Sequence, residues 1–152
     1  MITIGIRAAP TEVTFAVFDS EARSVVNVER IVIPQAFHWP EALKYVRSNL
    51  LDVLREYRVE RAGIRLTETN AQSPNIQRIQ IEGVIQEAFA SSDLSGYYEG
   101  AIATIAARVG VERAAFKKMV DGANDLEIAN WDAMDEKKRE AILTAMGAAH
   151  VH

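Results

Sequence analysis

ITIGIRAAPTEVTFAVFD, residues 2–19, is the stretch from which the fold can be read. Ile2, Ile4 and Ile6 alternate with Thr3, Gly5 and Arg7, the two-residue period of a half-buried strand, so residues 2–8 form a first strand. Ala9, Pro10 and Thr11 interrupt it, and the β-branched and aromatic run 13–18 resumes as a second. Residues 19–23 are polar enough to turn, and residues 25–33 make a third strand that Pro34 ends. Connections this short favour antiparallel neighbours. The chain therefore opens as a three-stranded meander, not as the start of a doubly wound sheet.

Further along, Pro40 stands in a first helical turn, and Leu43, Val46, Leu50, Val53, Leu54 and Tyr57 recur at three- and four-residue intervals. This spacing predicts a helix of roughly five turns with one buried face. Residues 62–66 read as a short strand, parallel to its partner because a helical crossover leads into it. Ser73-Pro74 reads as an N-cap and first-turn proline, opening a helix whose apolar face includes Ile81, Val84, Ile85, Ala88 and Phe89. Gly83 in that helix is either a close approach to the sheet or a tolerated glycine costing roughly 1 kcal/mol against alanine. Residues 95–101 suit an edge-like fifth strand with Tyr97 and Tyr98 on opposite faces. Residues 102–109 and 112–120 form two helices broken at Gly110. Residues 132–136 cap a final helix, with Ile142, Ala145, Met146 and Ala149 along one apolar face.

The 152 residues, 49% of them hydrophobic, suffice for one substantial core and point to a single domain over residues 1–152. A net charge of −4 gives no global attraction to a polyanion, so nucleic-acid binding would depend on a local basic surface. Without cysteine there are no disulfides, thiolate metal sites or cysteine nucleophiles. No basic-flanked apolar leader opens the sequence and no stretch approaches the ~18 apolar residues of a membrane span, so a soluble cytoplasmic protein without a membrane partner is expected. P-loop, dinucleotide fingerprint and nucleophile elbow are all missing. His38, His150 and His152 are too scattered for a metal site, and Trp39 and Trp131 flank helix starts as hydrophobic anchors.

The order β-β-β-α-β-α, carried by ITIGIRAAPTEVTFAVFD, AGIRLTETNAQSPNIQRIQIEGVIQEAF, YYEGAIATIAARVGVERAAFKKMV and KREAILTAM, resembles the ribonuclease H-like superfamily, most nearly its RuvC-type Holliday-junction resolvases. The likeness spans nearly the whole chain as pattern rather than close identity. It implies an α/β fold with a mixed five-stranded sheet, three antiparallel strands followed by parallel ones, flanked by helices. It also implies about four carboxylates holding two divalent ions, one activating the attacking water and the other stabilising the leaving oxygen. Carried over residue by residue, the first-strand Asp falls on Arg7, the fourth-strand Glu on Arg65, and the Asp-x-x-Asp pair on Lys137 and Glu140. Three of these four positions are cationic and would repel Mg²⁺. The resemblance thus implies a degenerate centre with no metal or other cofactor.

Arg7 and Arg65 admit two roles. Side by side they make a fork of donors for a phosphate or carboxylate; alternatively they pair with Glu140 or Glu68, an internal ion pair replacing a metal. A relocated Mg²⁺ site built from Glu68, Glu136 and Glu140 is the enzymatic alternative, a divalent-metal-dependent endonuclease of branched nucleic acid. Residues 104–120 raise a further choice. Ala106 and Gly110 suit either a helix-turn-helix or two small helices closing the domain, and in both cases Arg113, Lys117 and Lys118 are candidate nucleic-acid contacts. The expected protein is a pseudo-nuclease that binds nucleic acid or a protein partner, with a homodimer implied because resolvases of this type pair.

Overall fold

The computed structural model describes residues 1–150; His152 of the scattered histidines lies outside them. Three strands, β1 (Ile2–Ala8), β2 (Glu12–Asp19) and β3 (Ser24–Val32), precede the long helix α1 (Trp39–Glu56). Then come β4 (Arg61–Arg65), α2 (Ile76–Ala90), β5 (Gly96–Gly100), α3 (Ile102–Val109), α4 (Arg113–Val120), a 3-10 turn at Trp131–Ala133, and α5 (Glu136–Ala148). The sheet order is β3-β2-β1-β4-β5, with β1 antiparallel to β2, β2 antiparallel to β3, and β4 parallel to both β1 and β5. The mixed five-stranded sheet expected from the sequence is therefore present.

Alternation in β1 divides the core. Ile4 and Ile6 face α1 and α2 with Val46, Leu50, Ile64, Ile81, Ile85 and Phe89, all buried. On the other face α5 lies against the sheet, with Ile105 of α3 and Phe116 and Met119 of α4 packed around it. A row of small residues makes room for α5: Gly5 pairs with Ala16 on one side and Gly63 on the other. A Cβ on Gly5 would run into the backbone of Ala141 and Ala145. The Thr3 hydroxyl donates to the Ala145 carbonyl at 2.7 Å, and the Tyr98 hydroxyl donates to that of Thr144 at 2.8 Å, fixing the helix along the strands.

Two details correct the sequence expectations, and a third, at Gly83, decides for the tolerated glycine. The α2 N-cap is Asn75, whose side chain accepts from the Arg78 N–H, so the helix starts after Ser73-Pro74. An amide side chain in extended backbone offers that N–H its acceptor directly. Gly83 makes no close approach to the sheet: it is exposed and nothing lies within 4 Å of where its Cβ would stand. Finally, α5 is not buried on one face alone, since Glu140 to Ala145, Gly147 and Ala148 are all buried. It is covered by the sheet beneath and by α3 and α4 above, which a single amphipathic stripe does not describe.

The two aromatic residues of β5 do part company: Tyr98 is 4% exposed on the α5 side and Tyr97 is 43% exposed. Ala106 and Gly110 serve the closing of the domain. Ala106 is buried against its neighbours, and Gly110 takes the left-handed conformation (φ 87°) that caps α3 and donates to the Ala106 carbonyl.

Candidate functional site

Strand register places a row of arginines across the end of the sheet. Arg7 pairs with Arg65 in the parallel ladder and with Thr14 in the antiparallel one, and Thr14 pairs with Arg30. Directly opposed residues share a face, so Arg30, Arg7 and Arg65 all project toward the first half of α5. Beside the row of small residues that admits α5, this cationic row meets the carboxylates of that helix and its cap.

Glu140 is the hub. Its Oε2 accepts from Arg7 Nε at 2.6 Å and lies 3.7 Å from Arg65 Nε, with the acidic side chain 11% exposed. Arg65, 5% exposed overall, reaches Glu68 Oε1 at 3.5 Å and donates to the Leu66 carbonyl. Burial lowers the Arg65 pKa from its ordinary value, offset in part by Glu140 and Glu68 and reinforced by Arg7. Further along the row, Arg30 pairs with Asp135, the α5 N-cap, and lies 3.9 Å from Glu12. Lys137 Nζ reaches Glu12 at 3.5 Å from the other side.

Sequence reasoning missed Arg30, Arg78 and Glu82. Glu82, 4% exposed, accepts from the Thr67 N–H, the Thr67 hydroxyl and Arg78 Nε, tying the segment after β4 to α2. Arg78 belongs electrostatically to the same centre, because burial first, and then Arg7 and later Arg65, lower its pKa. A readable signal was present: positions 78, 82, 85 and 89 lie on one helical stripe, so Glu82 shares a face with buried Ile85 and Phe89 and has an arginine four residues before it. Arg30 carried no such mark; only the β2–β3 register brings it to the row.

Of the candidate metal ligands, Glu68 accepts from the first N–H of α3, Ile102, at 3.1 Å, Glu140 is held by arginine, and Glu136 is exposed in the first turn of α5. These three do not converge, and among the described residues no group of three His, Asp or Glu side chains is gathered to hold a metal ion. The donors present do not fit Mg²⁺, which needs several oxygens around it and no adjacent guanidinium charge. The basic candidates of α4 lie apart from the row but near it. Lys117 borders the same crevice as Glu140 and Phe116, while Arg113 and Lys118 are exposed on the outer surface of the helix.

No protein-family model matches this sequence, and no curated protein matches it. Solved structures do. The Thermus thermophilus RuvC structure superposes with a TM-score of 0.74 at 16% identity, covering 98% of this chain and 93% of that one. T. thermophilus RuvC in complex with a Holliday junction substrate gives 0.71 at 17% identity, covering 98% and 92%. The fowlpox virus Holliday junction resolvase gives 0.53 at 15% identity, covering 98% and 94%. Element order, sheet topology and near-complete coverage of both chains agree: this chain has the ribonuclease H-like fold in its RuvC-type form.

Proposed function

We propose that this chain is a RuvC-fold domain that binds nucleic acid along the phosphate backbone and does not cleave it. One observation carries the reading: Arg7 and Arg65 stand side by side on the central strands and share the carboxylate of Glu140. That arrangement spends the acid between the two central strands on two guanidinium charges, and among the described residues no group of three acids is left gathered for a metal. The direction of the parallel strands supports the binding half of the proposal. α1, α2, α3 and α5 all begin at the end of the sheet where β1 and β4 finish, two on each face, so four helix N-termini, the positive ends of their dipoles, lie at that end, those of α3 and α5 already faced by Glu68 and Asp135. Arg30 and Lys137 line the cleft at that end among Glu12, Asp135 and Glu136, and Lys117, Arg113 and Lys118 stand beyond it on α4, so on a chain of net charge −4 the cations open to a phosphate backbone are chiefly those of α4. The neighbouring RuvC and fowlpox resolvase were each solved with Holliday junction DNA, which makes branched DNA the first ligand to test. A cytoplasmic place of action is consistent with such a ligand.

The test is incubation of the chain with Mg²⁺ or Mn²⁺ and labelled branched, duplex and single-stranded DNA or RNA. Salt-dependent retardation without cleavage is expected. Metal-dependent cleavage would favour the endonuclease with relocated carboxylates, and no retardation of any nucleic acid would favour a protein-interaction role. For the protein-interaction reading a specific observation exists on α2: Ile76 is 72% and Ile79 43% exposed, in line with the open Gly83. A second copy of this chain seated on that uncharged stripe is the form such an interaction takes, readable by sedimentation.

A further inference from the structure

Between α3, α4 and α5 lies a crevice of about 150 Å³ beside the arginine centre. Ile102 from the first turn of α3, with Phe116 and Val120 from α4, gives it apolar walls. Glu140 reaches it from α5 and is buried, whereas Lys117 and Asp121, at its edge, are exposed. A cavity of about this size takes one benzene-sized ring, and pockets for larger ligands start at about 300 Å³.

Glu140 has one oxygen to spare. Arg7 Nε donates to its Oε2 at 2.6 Å and Arg65 Nε lies 3.7 Å from that same oxygen, while Oε1 accepts no hydrogen bond among the described residues. Oε1 is not sealed off either, since the buried side-chain atoms without a partner are Thr14 Oγ1, Arg65 Nε and Arg78 Nη2. On one side Glu140 borders the cleft where Arg30, Lys137, Glu12 and Asp135 pair with one another. On the other it borders the crevice, whose apolar walls offer it no donor.

Two acceptors, Glu140 and Asp121, with apolar walls between them suit a flat group that donates hydrogen bonds, and they refuse an anion. A cationic side chain of another protein would donate as well, but Arg113, Lys117 and Lys118 on α4 repel it and attract a phosphate strand instead. Lys117 at the edge then suits the phosphate of a nucleotide whose base lies inside.

We propose that this crevice receives one unstacked cytosine, whose exocyclic amine donates to Glu140 Oε1. A carboxylate accepts from that amine, whereas thymine turns a carbonyl oxygen toward it. Adenine carries an amine too, but its two rings exceed the space. The proposal rests on the nucleic-acid reading and adds to it a base preference that backbone contacts do not give.

In the experiment the whole chain is titrated, by fluorescence anisotropy, with labelled oligothymidylates that differ at one central position. That position holds thymine, cytosine, adenine or 2-pyrimidinone, which is cytosine without its amine. Cytosine should tighten binding about tenfold over thymine, as one good base contact does, and the other two should not. Ile102→Phe fills the crevice from α3 and leaves the cations of α4 in place, so it should erase the preference and keep the binding of plain oligothymidylate. Glu140→Gln should erase the preference as well, and thermal melting shows whether each variant is folded; should one fail to fold, the other carries the test. An equal gain from 2-pyrimidinone or adenine overturns the cytosine site, as does a preference that persists in folded Ile102→Phe. Salt-dependent binding blind to the central base also overturns it, while leaving the backbone reading intact. Absence of binding to every strand removes both.

Discussion

At the scale of single residues, Glu140 has more resting on it than any other side chain. Removing its charge leaves Arg7 and Arg65 buried without their shared anion, and breaking a buried pair in this way costs about 3–5 kcal/mol. Glu140→Gln should therefore lower the unfolding free energy by that amount, whereas Arg7→Met and Arg65→Met combined with Glu140→Leu should recover much of the loss, because a well-packed apolar cluster of similar volume replaces the whole buried ion-paired group at little cost. Urea denaturation of the three proteins measures both. Tyr98 has a different sensitivity. Burial raises its pKa from the ordinary 10.0, with Arg108 stacked on its ring opposing that shift only weakly. A raised tyrosine contributes stability that is complete below the unfolded value and is lost as pH climbs above it toward the folded value. The chain should thus become less stable above pH about 10, and Tyr98→Phe should remove that alkaline component while losing the 2.8 Å bond to Thr144.

Elements are where sequence and structure part company. The meander, the crossover helix and the parallel fourth strand were legible because period-two and period-3.6 patterns report which face is buried. The Arg7–Arg65 neighbourhood was legible too, once the two strands were taken as adjacent. What failed was local chemistry that depends on a third element. Gly5, Gly63, Gly100 and Gly147 are the close approaches, made to α5, Tyr98 or Thr104, yet the glycine that drew notice from helix propensity, Gly83, faces open space. The all-round burial of α5 was similarly hidden, since its Thr144 hydroxyl bonds back to the Glu140 carbonyl at 2.7 Å and its Glu140 is paired from the sheet, so polar residues sit on a face that composition alone reads as solvated. Two substitutions separate these cases. Gly5→Ala drives a methyl into α5 backbone and should destabilise by about 1–3 kcal/mol or more, because overpacking there moves a whole helix. Gly83→Ala meets nothing and should stabilise the monomer by about 0.5–1 kcal/mol. If a second copy packs against α2, the same alanine weakens self-association, so thermal melting and sedimentation read its two consequences apart.

For the molecule as a whole, the fold brings helix N-termini and cations to one end of a sheet in a chain whose overall charge is negative. Such a local field acts over about 8–10 Å at ordinary salt, so affinity for any nucleic acid should fall steeply as salt rises and should not depend on a metal. Charge removal on the outer helix, Lys117→Ala with Lys118→Ala, should weaken binding to all sequences alike and reduce the salt slope by about two contacts' worth, without altering the melting temperature. The arginines beyond Arg7 and Arg65 were out of reach of the sequence at this scale. Arg30 and Arg78 come from β3 and α2, and nothing in their local spacing places them beside Arg7; only the register of the strands and the start of the second helix do so.

The central claim is that arginine, with one glutamate between, stands where a metal centre would be assembled, and it is tested most directly by titrating the chain with Mn²⁺ and following free Mn²⁺ by electron paramagnetic resonance. The free signal should match that of buffer with a neutral control protein through the low-millimolar range, and Glu140→Gln should change nothing. Stoichiometric uptake of Mn²⁺ by the unaltered chain, lost in Glu140→Gln, would contradict the account.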